Sequence, residues 1–180
     1  MHDKHLKEES NQDILISLME MYGDMVLRVA FTYVKERQLA EDLSQEIFLK
    51  CYKSLDTFQN GSTYKTWLYR ITVNYCKDYV RSRYFRHVFP QSLIKKESGL
   101  VEDSVVSGIL KKEENAVLFN RVLNLSVKLR EVIILYYYEE LSISEIANVL
   151  SVKSSTVKTR LYRARESLRK YIEGGDVIEK

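Results

Sequence analysis

Proline is almost missing from this chain, and glycine is sparse: one and six residues in 180. These two residues punctuate turn-rich sheet proteins, so their scarcity points to helices. Cysteine occurs twice, at positions 51 and 76, each within a helical pattern and neither in a C-x-x-C unit. That excludes a disulfide framework and a thiolate zinc site, and Cys51 and Cys76 read as small apolar core residues. Histidine is equally scarce. His2 and His5 have the spacing of a helical metal site but stand in a polar tail without further ligands, and His87 is alone. There is no glycine-rich phosphate loop and no nucleophile with a base in register. The chain is therefore expected to be no enzyme, with no catalytic residue, metal, cofactor or small-molecule substrate. The longest apolar run, 132–138, stops at Glu139 and Glu140, far short of the ~18 residues a bilayer span needs. The leading MHDKHLKEES lacks the apolar centre of a secretory signal, so a cytoplasmic location is expected.

What is present is helical periodicity. A first helix starts after Ser10 or Asn11 and reaches about Val34, with Ile14, Leu18, Met21, Tyr22, Met25 and Val29 as its apolar stripe. A second spans about 39–54 and turns Leu43, Ile47 and Cys51 inward. Gln59, Asn60 and Gly61 form a loop, and Ser62 is placed to cap a third helix that reaches about Arg86. Mixed charge, Pro90 and Gly99 then mark a linker. Periodicity returns at Leu110: Val117, Leu118, Val122 and Leu125 mark one helix, and 127–138 mark another. The expectation is an all-α chain of two small helical domains, 1–86 and 111–180, joined by a flexible linker at 87–110.

The segment 141–170, LSISEIANVLSVKSSTVKTRLYRARESLRK, reads as two helices joined by a tight turn. Ile143, Ile146, Ala147 and Leu150 form the inner face of the first, and Ala147 is small enough for a close crossing. On the second, Val157, Leu161, Ala164 and Leu168 form one stripe. Ser155, Thr159, Tyr162, Arg163 and Glu166 point the other way, flanked by Lys158, Arg160, Arg165 and Arg169. Hydroxyls and arginines on an exposed helix suit base edges in a major groove, while flanking cations neutralise phosphates. This is a helix-turn-helix arrangement, so the C-terminal domain is expected to bind DNA.

Net charge is only +3, but it is unevenly spread: bases gather at 77–86 and 153–170, acids at 41–46. On the second helix Asp42, Gln45 and Leu49 share the face opposite the core, with Glu46 and Tyr52 beside them. A leucine exposed among polar groups suggests a protein-binding surface for a basic partner. The third helix could pack Leu68, Thr72, Tyr75 and Tyr79 inward, while Arg70, Lys77 and Arg81 line another side with Asn74 adjacent. Phe58, Tyr64, Trp67 and Tyr69 lie close by in sequence. Aromatic rings beside cations can stack unpaired bases, so single-strand capture is expected at Phe58, Tyr64, Trp67, Arg70, Asn74, Lys77 and Arg81.

AEDLSQEIFLKCYKSLDTF (40–58) and TWLYRITVNYCKDYVRSR (66–83) closely resemble the promoter-melting domain of extracytoplasmic-function sigma factors. LREVIILYYYEELSISEIANVLSVKSSTVKTRLYRARESL (129–168) is similar to the second conserved domain of the same group. The resemblance implies a factor that binds core RNA polymerase and directs promoter-specific initiation, of an extracytoplasmic stress or signal-response regulon. By that analogy Asp42, Gln45, Glu46 and Leu49 dock on the polymerase clamp helices. Phe58, Trp67, Asn74 and the loop 59–65 recognise the proximal element and melted strand. Lys158, Thr159, Tyr162 and Arg163 read the distal element as duplex, and Arg160 and Arg165 hold phosphates. It also implies an inhibitory anti-sigma protein, commonly membrane-bound, which would hold the factor at the membrane. Two positions depart from the family pattern. Val127 stands where proline is common, altering how that helix begins. Ser155 stands where glycine is usual, removing freedom at the start of the recognition helix.

Two rival readings use the same residues. A conventional helix-turn-helix regulator with a sensory or dimerisation domain has no need of the aromatic and basic stretch at 58–83. An adaptor that merely mimics a sigma factor has no use for cations in both domains.

Overall fold

The computed structural model describes residues 10–58, 63–87 and 116–173, without the side chains at 83–87, 116 and 171–173. His2, His5, the loop at 59–61, Ser62, Pro90, Gly99 and the linker from 88 onward lie outside the described residues. The described part is helical, with no strand. The chain divides into two compact units, Met1–Ile94 and Lys95–Lys180.

In the first unit, α1 (Asn11–Val34) packs against α2 (Arg37–Ser54) and α3 (Tyr64–His87), and a 3₁₀ turn, Leu55–Thr57, follows α2. Ser10 starts α1 as the sequence predicts: its hydroxyl accepts the Asp13 N–H at 3.3 Å, satisfying one of the otherwise unpaired first-turn donors. The Asn11 side chain donates to Asp56 at 2.7 Å, tying the beginning of α1 to the turn after α2. Ile14, Leu18, Met25 and Val29 are buried as expected, but Met21 is exposed and Tyr22 only half-buried. Farther along α1 burial spreads to Val26, Ala30, Phe31 and Tyr33, in a helix that packs against both α2 and α3. Lys35, at φ 58°, ends the helix in the left-handed region.

α2 buries one face only, Ala40, Leu43, Ile47, Phe48 and Cys51. α3 buries Leu68, Tyr69, Thr72, Val73 and Cys76, while Tyr75 and Tyr79, predicted inward, stay half-buried. At the start of α3 the Thr63 hydroxyl accepts from Thr66 N–H at 3.2 Å. Each fully buried aliphatic side chain contributes about 1.5–3 kcal/mol. The exposed Arg37–Glu41 pair, at 2.9 Å, contributes under about 1 kcal/mol. Apolar packing therefore holds this unit together. Burial also pushes both free thiols, Cys51 and Cys76, up to about 12, so they are protonated core groups.

In the second unit, α4 (Ala116–Asn124) leads to α5 (Val127–Ile133), which continues into a π-helical turn, Ile134–Tyr138; α6 (Ile143–Leu150) and α7 (Ser154–Glu173) follow. The α4 prediction is half right. Val122 and Leu125 are buried, but Val117 and Leu118 are exposed, and Phe119 and Leu123 fill the core instead. Val127 is the first residue of α5, where a backbone N–H has no acceptor within the helix, so proline and valine are interchangeable there in hydrogen-bonding terms. Arg130 is buried and donates to the Leu125 carbonyl from Nε and Nη2 at 3.3 and 3.0 Å, capping the chain between α4 and α5.

α6 begins with a capping box. The Ser142 hydroxyl accepts from Glu145 N–H, and the Glu145 carboxylate accepts from Ser142 N–H at 2.8 Å. It ends at Ser151, left-handed at φ 54°, with the Val152 N–H reaching back to the Ala147 carbonyl at 3.0 Å. This turn aims α7 across α6.

Candidate nucleic-acid interface

The sequence divides α7 into an inner and an outer face, and the fold keeps that division. Val157, Leu161 and Ala164 are buried against α5 and α6, with Leu168 half-buried at the far end. Ser155, Lys158, Thr159, Tyr162 and Arg163 are exposed; Tyr162 is 65% accessible, far more than a tyrosine placed for packing would be. The Thr159 hydroxyl donates to the Ser155 carbonyl at 3.0 Å, which leaves its oxygen lone pairs facing outward as acceptors. Among the described residues neither Lys158 nor Arg163 makes an ion pair, so both charges are available to an incoming ligand. Ser155 is helical. The left-handed residue of the motif is Ser151, so no glycine freedom is exercised at 155 and its serine carries no strain.

Two arginines depart from expectation. Arg160 is half-buried and donates from Nη1 to the Glu131 carboxylate at 2.9 Å, an ion pair from α7 to α5. Arg165 is exposed, but its Nε donates to the Tyr137 hydroxyl at 2.8 Å and its guanidinium lies over the Tyr136 and Tyr137 rings, 5.7 and 5.6 Å from their centroids. Both guanidinium groups are thus engaged within the unit, not aimed freely outward. Counting charge along α7 could not reveal this, because the partners lie 29 and 28 residues back in the sequence.

In the first unit, Phe58, Tyr64 and Trp67 come together at the junction of α2 and α3. Phe58 stacks on Tyr64 at 4.3 Å between centroids; Trp67 lies 5.1 Å from Phe58 and 6.2 Å from Tyr64. All three are half-buried, so ring area remains accessible beside the cluster. Tyr69 does not belong to it: at 1% accessibility it is a core residue. From Trp67 the helix carries Arg70, Asn74, Lys77 and Arg81 at steps of three and four residues, all within one stripe opposite the core face. Asn74 and Arg81 are exposed, whereas Arg70 and Lys77 are half-buried. Among the described residues Arg70 Nε is a buried donor without an acceptor, a group whose desolvation cost falls if a ligand oxygen or nitrogen reaches it. The stripe begins at aromatic rings and continues as cations and an amide, a sequence that suits bases followed by phosphates.

A different surface lies on the outer face of α2. Asp42, Gln45, Glu46 and Leu49 are all exposed, with Tyr52 at its edge, and Leu49 keeps 52% of its surface accessible. Where α2 meets α3, Lys50 sits 5.5 Å from the Tyr75 ring centroid. Partial burial, and then the nearby Glu46 charge, raise the Tyr75 phenol above its ordinary value; Cys76 and Tyr79 add to the effect.

These surfaces coincide with two matched families. Residues 18–86 match the family described as Sigma-70 region 2, and residues 117–168 match Sigma-70, region 4. The ECF RNA polymerase sigma factor SigW of Bacillus subtilis (strain 168) is 31% identical, over 96% of this chain and 97% of its own. The chain belongs to the ECF RNA polymerase sigma factor family. Another relative of this sigma factor, the ECF RNA polymerase sigma-E factor of Escherichia coli (strain K12), is 32% identical over 89% of this chain and 87% of its own. Among solved structures, the sigma factor RpoE in complex with the anti-sigma factor NepR, from Bartonella quintana, has the same fold. Its TM-score is 0.69 at 23% identity, covering 92% of this chain and 99% of that one. The region 2 match of the sigma factor takes in the α2 face, the aromatic cluster and the α3 stripe, and its region 4 match takes in α6 and the outer face of α7. No described helix of it is long and apolar enough to cross a membrane.

Proposed function

We propose that this sigma factor divides promoter recognition between its two units, with core RNA polymerase held by the outer face of α2. The observation that carries this is the α3 stripe. Trp67, Arg70, Asn74, Lys77 and Arg81 share one side of a helix whose first turn belongs to a half-open aromatic cluster. A regulator that only senses a ligand or dimerises has no use for that stripe. Phe58, Tyr64 and Trp67 would stack bases of the melted strand, since stacking of about 1–3 kcal/mol per base offsets much of the cost of unstacking them. Asn74 would contact a base edge, and Arg70, Lys77 and Arg81 would follow the backbone. Ser155, Lys158, Thr159, Tyr162 and Arg163 would read the distal element as intact duplex. Asp42, Gln45, Glu46 and Leu49 would meet a basic, partly apolar surface of the polymerase. The linker at 87–110 would let each unit reach its own element. An anti-sigma protein, as in the solved relative, is the expected inhibitor; a membrane-anchored one would hold the factor at the membrane until a signal releases it.

Purified core polymerase mixed with this protein on genomic DNA tests the reading. Transcripts with defined 5′ ends, absent without the protein, are expected. Transcripts that appear only when a second specificity subunit is supplied would make the protein a regulator and end the proposal.

A further inference from the structure

Arg160 and Arg165 leave α7 on opposite flanks of its buried stripe. With 3.6 residues per turn, they fall roughly 70° to either side of the line through Val157, Leu161 and Ala164. Both reach the same preceding helical segment, Arg160 at Glu131 in α5 and Arg165 at Tyr137 in the π-helical turn. The Glu131 carboxylate sits inside the unit, its side chain 3% accessible, and that of Arg160 is 19% accessible. The buried stripe seats α7 against α5 and α6, and a single contact on one flank opposes further rotation in one sense only. Two on opposite flanks oppose rotation in both senses. Tyr137 lies within the π-helical turn, whose wider ladder bonds Glu139 N–H to the Ile134 carbonyl at 3.1 Å.

Rotation matters because the outer face is narrow. A roll of about 20° moves a side-chain tip about 5–6 Å from the axis by roughly 2 Å. A base-edge hydrogen bond tolerates only about 0.5 Å before it lengthens out of range. We propose that Arg160 and Arg165 are positioning residues, and that the Glu131–Arg160 and Tyr137–Arg165 tethers fix the roll of α7 and so set base-pair selectivity in the distal element. This rests on the reading that α7 lies in a duplex groove, and it replaces the phosphate-binding role that the family resemblance implies for the two arginines.

Glu131 makes the test decisive, because it is buried and cannot touch DNA. If Arg160 were a phosphate contact, Glu131→Gln would release it and leave binding equal or tighter. If Arg160 positions α7, Glu131→Gln and Arg160→Gln lose the same property. The assay uses the full-length chain bound to core polymerase, selecting from duplexes with a randomised segment. The winning duplex is then compared with its single-base-pair variants across a salt series. For Glu131→Gln, discrimination between the two is expected to fall roughly 10-fold, with an unchanged salt slope. Tyr137→Phe, at an exposed site that keeps its ring, is expected to lose part of that discrimination while melting at the wild-type temperature. Undiminished discrimination in both variants, or a salt slope reduced by about 1 in Arg160→Gln alone, would overturn the proposal. A wild-type complex that selects no sequence would instead sink the duplex-reading role of α7 itself, and the tethers with it.

Discussion

Single residues decide two features of this protein, the first hidden from helical periodicity and the second visible in it. Ser151 occupies the left-handed region at φ 54°, ψ 47°. There an L side chain with a Cβ is less favourable than glycine by about 1–2 kcal/mol, partly offset by the larger entropy glycine loses on folding. Ser151→Gly should therefore raise the stability of the helix-turn-helix by about 0.5–1 kcal/mol, read as a higher midpoint in thermal denaturation. Ser155→Gly should lower it, because that position is helical. A reversed order of the two variants would contradict the assignment. The second feature is the pair of buried thiols at positions 51 and 76. With both pushed up to about 12, neither forms a thiolate near neutrality, so thiol reagents should label them only after unfolding. The unfolded chain, with ordinary thiols, releases these protons earlier, so stability from this source is full below about pH 8.5 and falls as pH rises toward 12. Rapid labelling of the native protein at neutral pH would show that the core around them opens locally.

At the scale of elements, α2 makes the sharpest separation between a buried and an exposed face. Its inner residues Leu43, Ile47 and Cys51 are buried, while Asp42, Gln45, Glu46 and Leu49 cover the opposite side. Leu49→Asp removes an exposed apolar group from that face without touching the core. It should abolish co-purification with core polymerase and leave the melting temperature within a degree or two, since surface substitutions usually change stability by under about 0.5 kcal/mol. Retained co-purification would move the polymerase surface off α2. The same helix explains why so much was legible in the sequence. Amphipathic helices announce both faces through a 3.6-residue period, so the elements and their outer faces follow from spacing alone. What spacing hides is enclosure from two sides and contact across long loops. Met21 falls on the predicted stripe of α1 yet is exposed, and in α4 Phe119 and Leu123 displace Val117 and Leu118 from the core. Tyr69 could have been a stacking ring or a core residue, and only tertiary packing, which leaves it 1% accessible, decides. The engagement of Arg160 by Glu131 depends on the tertiary crossing of α5 and α7, for which local pattern carries no signal.

At the scale of the whole molecule, the decisive property is that two compact units share one chain. Each presents a modest surface: one stripe on α3, one face on α7. A single stripe of a few cations and one amide gives weak, salt-sensitive binding, and one helix-turn-helix reads only a few base pairs. On the proposed reading, once one unit is held at its element, the other would meet DNA at an effective concentration near the millimolar range. The product of two weak affinities would then become one selective one, and spacing between the elements would become part of what is read. A protease site introduced between Ile94 and Lys95, cut after folding, separates the units while each enters the assay already folded. At micromolar protein, the cut factor should direct about 10²- to 10⁴-fold less promoter-specific transcription than the intact one, and higher concentrations of the second unit should recover part of the loss. Full activity after complete cleavage would mean that the polymerase itself supplies the coupling, each unit being held independently on its surface. Promoter choice would then reside in the polymerase-bound geometry and not in the chain that joins the two recognition helices.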